Sequence, residues 1–331
     1  MSKGIGLRNR LYGWEDCDMR AHLDCIACLI RQTLSSARFV TDDEQIHEQV
    51  VRKILRQASC MDMDRSIPAT AREIHRFIRE LVGQSDPYRQ AKEWSNNLIL
   101  KRYPELERLI AKSTDPLETA VRLAIAGNVI DFGAYSSVET VDVEKAIDSC
   151  LTSDLDKTQL EYFRNSVSEA TDILYLADNA GEIVFDRLLI EQLGPEKVTL
   201  AVKGGPILND ATVEDARAAG LVDMVEVIDT GDDAPGTILD TSSTAFQCYF
   251  MAADLIIAKG QGNYETLSDA NKNIFFILKA KCPVIAQHLD CEVGQMILTR
   301  SDAFTDAADP LGQDEEVDSG VGSIASDKRP S

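Results

Sequence analysis

The 331-residue sequence contains no long apolar run, and its opening MSKGIGLRNRLYGWEDCDM lacks the apolar core of a secretory signal. Crossing a bilayer takes about 20 consecutive apolar residues. The sequence therefore predicts a cytoplasmic protein that does not engage membranes. Cations are scarce: 34 Lys and Arg stand against 55 Asp and Glu, for a net charge of −21. Such a chain repels a phosphate backbone unless a basic patch is gathered locally, so nucleic acid is not expected as a partner. The missing G-x-x-x-x-G-K-[ST] loop argues against a P-loop nucleotidase. Missing too is a second CxxC or a paired-His motif to complete a zinc site beside Cys25-Ile26-Ala27-Cys28.

An apolar fraction of 44% supports a substantial core, and the length allows two domains or one large α/β domain with an additional lobe. Eight cysteines are dispersed along the chain and, without a secretory signal, read as reduced thiols. Cys25 and Cys28 are three apart in an amphipathic stretch, so a helix puts both sulfurs near one face. Buried core thiols come first, a redox pair second, and a metal site completed by Cys17, His22 or Cys60 third.

Up to residue 170 the pattern is helical. Apolar residues recur at three- and four-residue spacing through 25–39, 46–54, 71–81 and 88–99, with Pro68, Pro87, Pro104 and Pro116 at the breaks. Thr41-Asp42-Asp43-Glu44 resembles a helix start with acids in its first turn. The stretch AIAGNVIDFGAY is unusual: Gly127 and Gly133 interrupt an apolar helix, and Asn128 and Asp131 fall on one side of it. Close approach of another backbone and a packed helix crossing with a solvated Asp are both open. From 171 onward, short apolar runs at 173–177, 198–202, 224–228, 255–258 and 283–286 alternate with helix-length amphipathic segments. That alternation predicts a doubly wound, mostly parallel sheet with helices on both faces. The expected division is an extension over 1–20, a helical lobe over 21–170, an α/β domain over 171–300, and an acidic tail over 301–331 too poor in large apolar residues to fold.

The polar residues just past each strand carry the chemistry. In ILYLADNAGEIVFD, a buried strand delivers Asp178 and Asn179, a small turn follows, and Glu182 opens a helix. One charged and one neutral oxygen donor suit a hard divalent cation, although an Asp-Asn pair also caps helices. The second strand leads to Lys203-Gly204-Gly205 and then to Asn209 and Asp210, read as the start of the next helix. The fourth leads to Lys259-Gly260-Gln261-Gly262-Asn263-Tyr264-Glu265, a turn able to aim N–H groups at an anion. Lys279 is read as lying in an apolar helix before the fifth strand. Carboxylates for a metal, a glycine nest and a lysine on one sheet edge suit phosphoryl transfer or phosphate hydrolysis.

The motifs ADNAGEIVFD, GGPILNDATVEDA, DLIIAKGQGNYETL and FFILKAKCPVIA, with AGNVIDFG and DCIACLIRQ, resemble the metal-dependent damage-control phosphatase family, also known as domain of unknown function 89. The resemblance runs over about residues 25–286, and the cysteine pair suggests the prokaryotic stand-alone branch. It implies a Rossmann-like α/β/α sheet domain carrying an all-helical N-terminal lobe, a divalent metal (Mn²⁺, Co²⁺ or Ni²⁺, with Mg²⁺ a further candidate), and hydrolysis of small phosphorylated metabolites. On the matching positions, Asp178, Asn179 and Asp210 would hold the metal, and Asp178 and Asp210 would be catalytic. Glu182, Asn263 and Lys279 would contact substrate or its phosphate, while Asn128 and Asp131 would close the site from the helical lobe. Asp215, a turn beyond Asp210, is the weaker alternative ligand. Attack by a water positioned by a carboxylate and a phospho-aspartyl intermediate remain equally open. Two other classes compete: an S-adenosylmethionine-dependent carboxyl methyltransferase, opposed by the missing early glycine-rich cofactor loop, and a non-catalytic metabolite-binding protein.

Overall fold

The computed structural model describes residues 19–129 and 140–304, which form thirteen α-helices and one six-stranded sheet. The chain opens with helices α1 (Leu23–Val40), α2 (Glu44–Ala58) and α3 (Ile67–Val82). The expected start at 41–44 is there, with the Asp43 side chain accepting from Gln45 N at 2.8 Å. Leu29, Val50, Ile54, Ile74 and Ile78 make a small core among these three helices. Helices α4 (Arg89–Leu100), α5 (Tyr103–Lys112), α6 (Pro116–Val129), α7 (Thr140–Thr152) and α8 (Lys157–Glu169) follow. A larger core takes in Ile99, Leu106, Leu123 and Phe163 with Tyr175, Phe185, Leu200 and Phe275. The apolar faces of the later helices are therefore buried together with the sheet, across residue 170.

Strands β1 (Ile173–Leu176), β2 (Val198–Val202), β3 (Glu226–Asp229), β4 (Leu255–Lys259), β5 (Ile274–Lys279) and β6 (Met296–Arg300) lie in the order β3-β2-β1-β4-β5-β6. Five are parallel, and β6 pairs antiparallel with β5. Between them run α9 (Glu182–Leu193), α10 (Val213–Ala218), α11 (Thr244–Ala252), α12 (Gly260–Leu267) and α13 (Pro283–His288). β1 and β4 are buried along their whole length, as strands covered by helices on both faces must be. This is the doubly wound, Rossmann-like α/β/α sheet expected from the sequence, with the helical lobe attached. The strand order reverses between β1 and β4, and at that switch point the carboxyl ends of the strands open a crevice.

Three local readings are corrected. Residues 274–279 form a strand rather than an apolar helix, and 283–286 lie in a helix rather than a strand. A short run such as IFFILK carries no period that separates a buried strand from a buried helix. Pro283, however, sits in the first turn of α13, where its missing N–H costs nothing. Asn209 and Asp210 precede α10, whose N-cap is Thr212.

The helical lobe is fastened to the sheet by α3. Arg72, Arg76 and Arg79 form one stripe of that helix. Arg72 Nη1 meets Asp232 Oδ2 at 2.5 Å, Arg76 and Arg79 both bond Asp233, and Arg79 Nη1 donates to Pro206 O at 2.6 Å. Among the described residues no helix is long and apolar enough to cross a membrane. A second fastening is α6 on α9, where Gly127 permits the approach: a Cβ there would lie 3.0 Å from Phe185 Cδ2 and 3.2 Å from Glu182 Cα. Gly127→Val is expected to destabilise the protein by about 1–3 kcal/mol through overpacking. Urea denaturation measures it, and unchanged stability would mean that the two helices part without cost.

Candidate active site

Beyond Leu176 the chain leaves the sheet and is zipped to the segment after β2. Ala211 N donates to Asp178 O at 2.7 Å, Ala180 N donates to Asn209 O at 2.8 Å, and Asn179 and Asp210 form an antiparallel bridge. These main-chain bonds set the side chains of Asp178, Asn179 and Asp210 side by side. Gly181 then turns the chain into α9 with φ +79°, and its N–H donates to Asn96 Oδ1 of α4 at 2.7 Å.

Two amides and two carboxylates interlock at the base of the crevice. Asn128 Nδ2 donates to Asp178 Oδ2 and Glu182 Oε2, both at 3.1 Å. Asn179 Nδ2 donates to the same two oxygens at 2.7 and 3.0 Å. Asn128 Oδ1 accepts the backbone N–H of Lys279 at 3.0 Å, so one side chain ties α6 to β1, α9 and β5. Gly260 closes the other side. Its φ is +78°, and a Cβ would stand 1.9 Å from Asp178 Oδ2, so only glycine fits.

Beneath this layer Lys259 is fully buried, donating to Glu182 Oε1 at 2.8 Å, Asp186 Oδ1 at 2.5 Å and Ala124 O at 3.0 Å. Tyr175 OH also donates to Asp186 Oδ1, at 2.8 Å. One ammonium serves two buried carboxylates, and they divide its effect unequally. Burial raises both, yet Lys259 outweighs it at Glu182, whose carboxyl ends below its ordinary value, while Asp186 is left at about 7. Asp178 is raised to about 6 by burial and by the neighbouring Glu182. Asp210 is raised well above its ordinary value, by burial foremost, against the pull of Lys203. Its Oδ2 is buried without a hydrogen bond, with Lys203 Nζ 3.7 Å away.

The donor set fits a hard divalent cation. Two carboxylates held up in pKa by burial, one with an orphaned oxygen, lack the positive charge that an ion would bring, and oxygen donors select ions of that kind. Among the described residues no three His, Cys, Asp or Glu side chains converge closely enough to bind a metal unaided. The amide of Asn179, between Asp178 and Asp210, is the third donor the geometry offers.

The structure brings Asn128, Asp178, Asn179, Glu182 and Asp210 together. It puts Asn263 inside the wall, where Nδ2 donates to Lys259 O at 2.8 Å and Oδ1 accepts from Thr237 at 2.9 Å. The Lys279 main chain reaches the site, but its ammonium acts on the Cys150 thiol, which burial nonetheless holds up at about 11. Lys203, Lys281 and Lys259 are the cations that lower the Asp178 carboxyl. Asp131 lies outside the described residues, as does the tail from 305 on. Asp215 is spent elsewhere, closing the capping box of α10 and accepting from Lys92 at 3.2 Å and Asn96 at 2.9 Å. Cys25 and Cys28 are free, half-buried thiols, Cys25 packed against the sheet core. Sequence reasoning took Lys259 only as the opening of a glycine-rich turn and passed over Asp186, though Glu182 and Asp186 stand four apart in an apolar helix. Two acids on one buried helix face require a cation, which was the available signal.

Residues 21–297 match the model of the damage-control phosphatase ARMT1-like domain. The chain belongs to that family. A damage-control phosphatase of Pyrococcus horikoshii is 36% identical over 288 residues, covering 86% of this chain and 99% of that protein. A damage-control phosphatase of Archaeoglobus fulgidus is 36% identical over 285 residues, 82% and 96% of the two chains. A crystal structure of a protein of the same domain-of-unknown-function-89 family from Pyrococcus horikoshii aligns with a TM-score of 0.76 at 34% identity, over 86% of this chain and 99% of that one. The family found is the one that the motifs resemble. As a damage-control phosphatase relative, the chain sets its acids at the β1–β4 switch point, and the matched region stops short of the 301–331 tail.

These buried acids give a stability test. Asp178 at about 6 and Asp186 at about 7 hold protons in the folded state that unfolded carboxyls release near pH 4. Their contribution is complete below about pH 4 and is lost as pH rises through 6 to 7. Glu182, lowered in the fold, has the opposite sign, its contribution being lost only toward acid. EDTA-treated protein is therefore expected to melt higher at about pH 5.5 than at about pH 8, with Mn²⁺ recovering the loss at the higher pH by favouring the ionised acids. Scanning calorimetry across that range measures it. A melting temperature that is flat or rises with pH without metal would contradict the assignment of these carboxyls.

Proposed function

We propose that this protein is a metal-dependent phosphatase acting on phosphoric monoesters of small metabolites, such as sugar phosphates or damaged phospho-metabolites. The observation that carries the reading is the zipped pair of loops that sets Asp178, Asn179 and Asp210 side by side, with Asp210 Oδ2 buried and unbonded. The metal is Mn²⁺, Co²⁺ or Ni²⁺, with Mg²⁺ a further candidate, held by those three residues. Once bound, it polarises the phosphoryl group and offsets the charge on its oxygens.

The chain's own groups do the rest. Lys259 keeps Glu182 ionised and still, an acceptor for a substrate hydroxyl. Asn128 and Asn179 fix the orientation of Asp178 through hydrogen bonds of 3.1 and 2.7 Å. The N-terminal turn of α12, opened by Gly260, aims backbone N–H groups at the crevice, where an anion is favoured. Lys203 and Lys281, which act on the Asp178 carboxyl, supply positive charge to the phosphate side. Asp178 either orients the attacking water or attacks phosphorus itself.

A metal-by-substrate screen for phosphate release, on EDTA-stripped protein, tests the reading. Asp178→Ala is expected to lower metal-dependent kcat/KM at least about a hundredfold, some 2.7 kcal/mol, with the circular dichroism spectrum retained. Undiminished turnover in that variant, or stable ligand binding with no turnover under any of the metals, would overturn it.

A further inference from the structure

Hydrolysis of an ester of an ordinary alcohol needs an acid at the leaving oxygen, because an alkoxide is a poor leaving group in water. The carboxyls described so far do not supply one. Glu182 is held ionised by Lys259, Asp186 is sealed beneath Lys259 and Tyr175, and Asp178 and Asp210 face the cation site.

Another carboxyl lies within electrostatic reach of Asp178. Glu265 stands in α12, one turn beyond Gln261, on the helix whose first residue lies against Asp178. Gln261 Nε2 donates to Glu265 Oε1 at 2.7 Å, while Gln261 Oε1 accepts the backbone N–H of Lys281 at 3.2 Å. That second bond fixes which way the amide points. Its N–H must face Oε1, so in the neutral acid the proton resides on Oε2, which takes no hydrogen bond among the described residues and is not among the buried unpaired atoms. The helix cannot drift, since a Cβ on Gly262 would lie 2.6 Å from Pro235 O, and Met19 N donates to Glu265 O at 2.9 Å. The charges around Glu265 are Asp178 from the end of β1 and, past Gln261, Lys281; the Cys25 thiol approaches from α1 and Cys282 Sγ lies 3.6 Å from Gln261 Nε2. Burial foremost, with Asp178 adding and Gln261 opposing, raises this carboxyl to about 7.

We propose that Glu265 is the general acid of the hydrolysis, giving the proton on Oε2 to the ester oxygen as the alcohol leaves. The assignment rests on the phosphatase reading above. In the step the P–O bond to the alcohol breaks with its electron pair going to oxygen, and that oxygen takes the Glu265 proton. A P–O bond to the oxygen of one water replaces it, one proton of that water passes to solvent, and Glu265 is reprotonated from solvent. The net reaction consumes one water and releases phosphate and the free alcohol.

Leaving-group dependence separates an acid from a merely structural residue. The Mn²⁺-loaded full chain and its Glu265→Gln variant are compared on benzyl phosphate, whose alkoxide needs a proton, and on p-nitrophenyl phosphate, whose phenolate does not. The ratio of kcat/KM for benzyl over p-nitrophenyl phosphate is expected to fall about a hundredfold in the variant, within the range usual for loss of a general acid. The alkaline limb of the wild-type benzyl phosphate profile should vanish with it. An equal loss on both esters, or no loss on either, overturns the assignment while leaving the phosphatase reading in place. A wild-type protein that releases phosphate from neither ester and from no compound in the metabolite screen removes both.

Discussion

The site depends on one ammonium buried under two carboxylates. Lys259 sits at the end of a wholly buried strand, bonded to Glu182, Asp186 and a main-chain oxygen of α6. Enclosing such a charge is tolerable only where every donor finds an acceptor, and removal of one partner leaves an uncompensated charge inside. The cluster therefore fixes α9, β4 and α6 relative to one another before any ligand arrives. It also divides the two acids: Glu182 is kept ionised, and Asp186 is raised to about 7.

Around that cluster the architecture is a set of close approaches. Gly127 lets α6 meet α9, Gly260 lets α12 meet Asp178, and the arginine stripe of α3 holds the loop after β3. Asn128 is the joint between lobes, taking its oxygen to β5 and its N–H groups to Asp178 and Glu182. The helical lobe thus contributes a side chain to the site itself, at the switch point of the sheet.

Much of this was legible in sequence because it is written in short-range pattern. The alternation of apolar runs with amphipathic segments after residue 170 specifies a parallel sheet, and an Asp-Asn pair past the first strand marks the ligand edge. Gly127 and Asn128 inside an apolar helix signalled a close approach, and the approach is present. What misled was local ambiguity: IFFILK and PVIA are both short apolar stretches, and only strand pairing with β4 and β6 separates them. Lys259 was read only as the opening of a glycine-rich turn, and Asp186 was overlooked because alone it resembles an ordinary charge on a helix.

The sequence by itself determined the helical start and the alternation of strands and helices through β4, the family through its ordered motifs, and the Asp178, Asn179 and Glu182 constellation, whose members are neighbours in the chain. The tertiary structure alone decided which distant groups meet them. Asp210 arrives by a main-chain bridge, Asn128 by helix packing, and Lys259 by the reversal of strand order that places β4 beside β1. It decided too that Asp215 caps a helix, that Lys279 meets the site through its main chain, and that burial and nearby cations rather than residue type set the charge of each acid. Residue identity supplies a carboxyl or an amine. Its protonation and its partners depend on desolvation and on charges brought near by folding, neither of which is encoded at the residue itself.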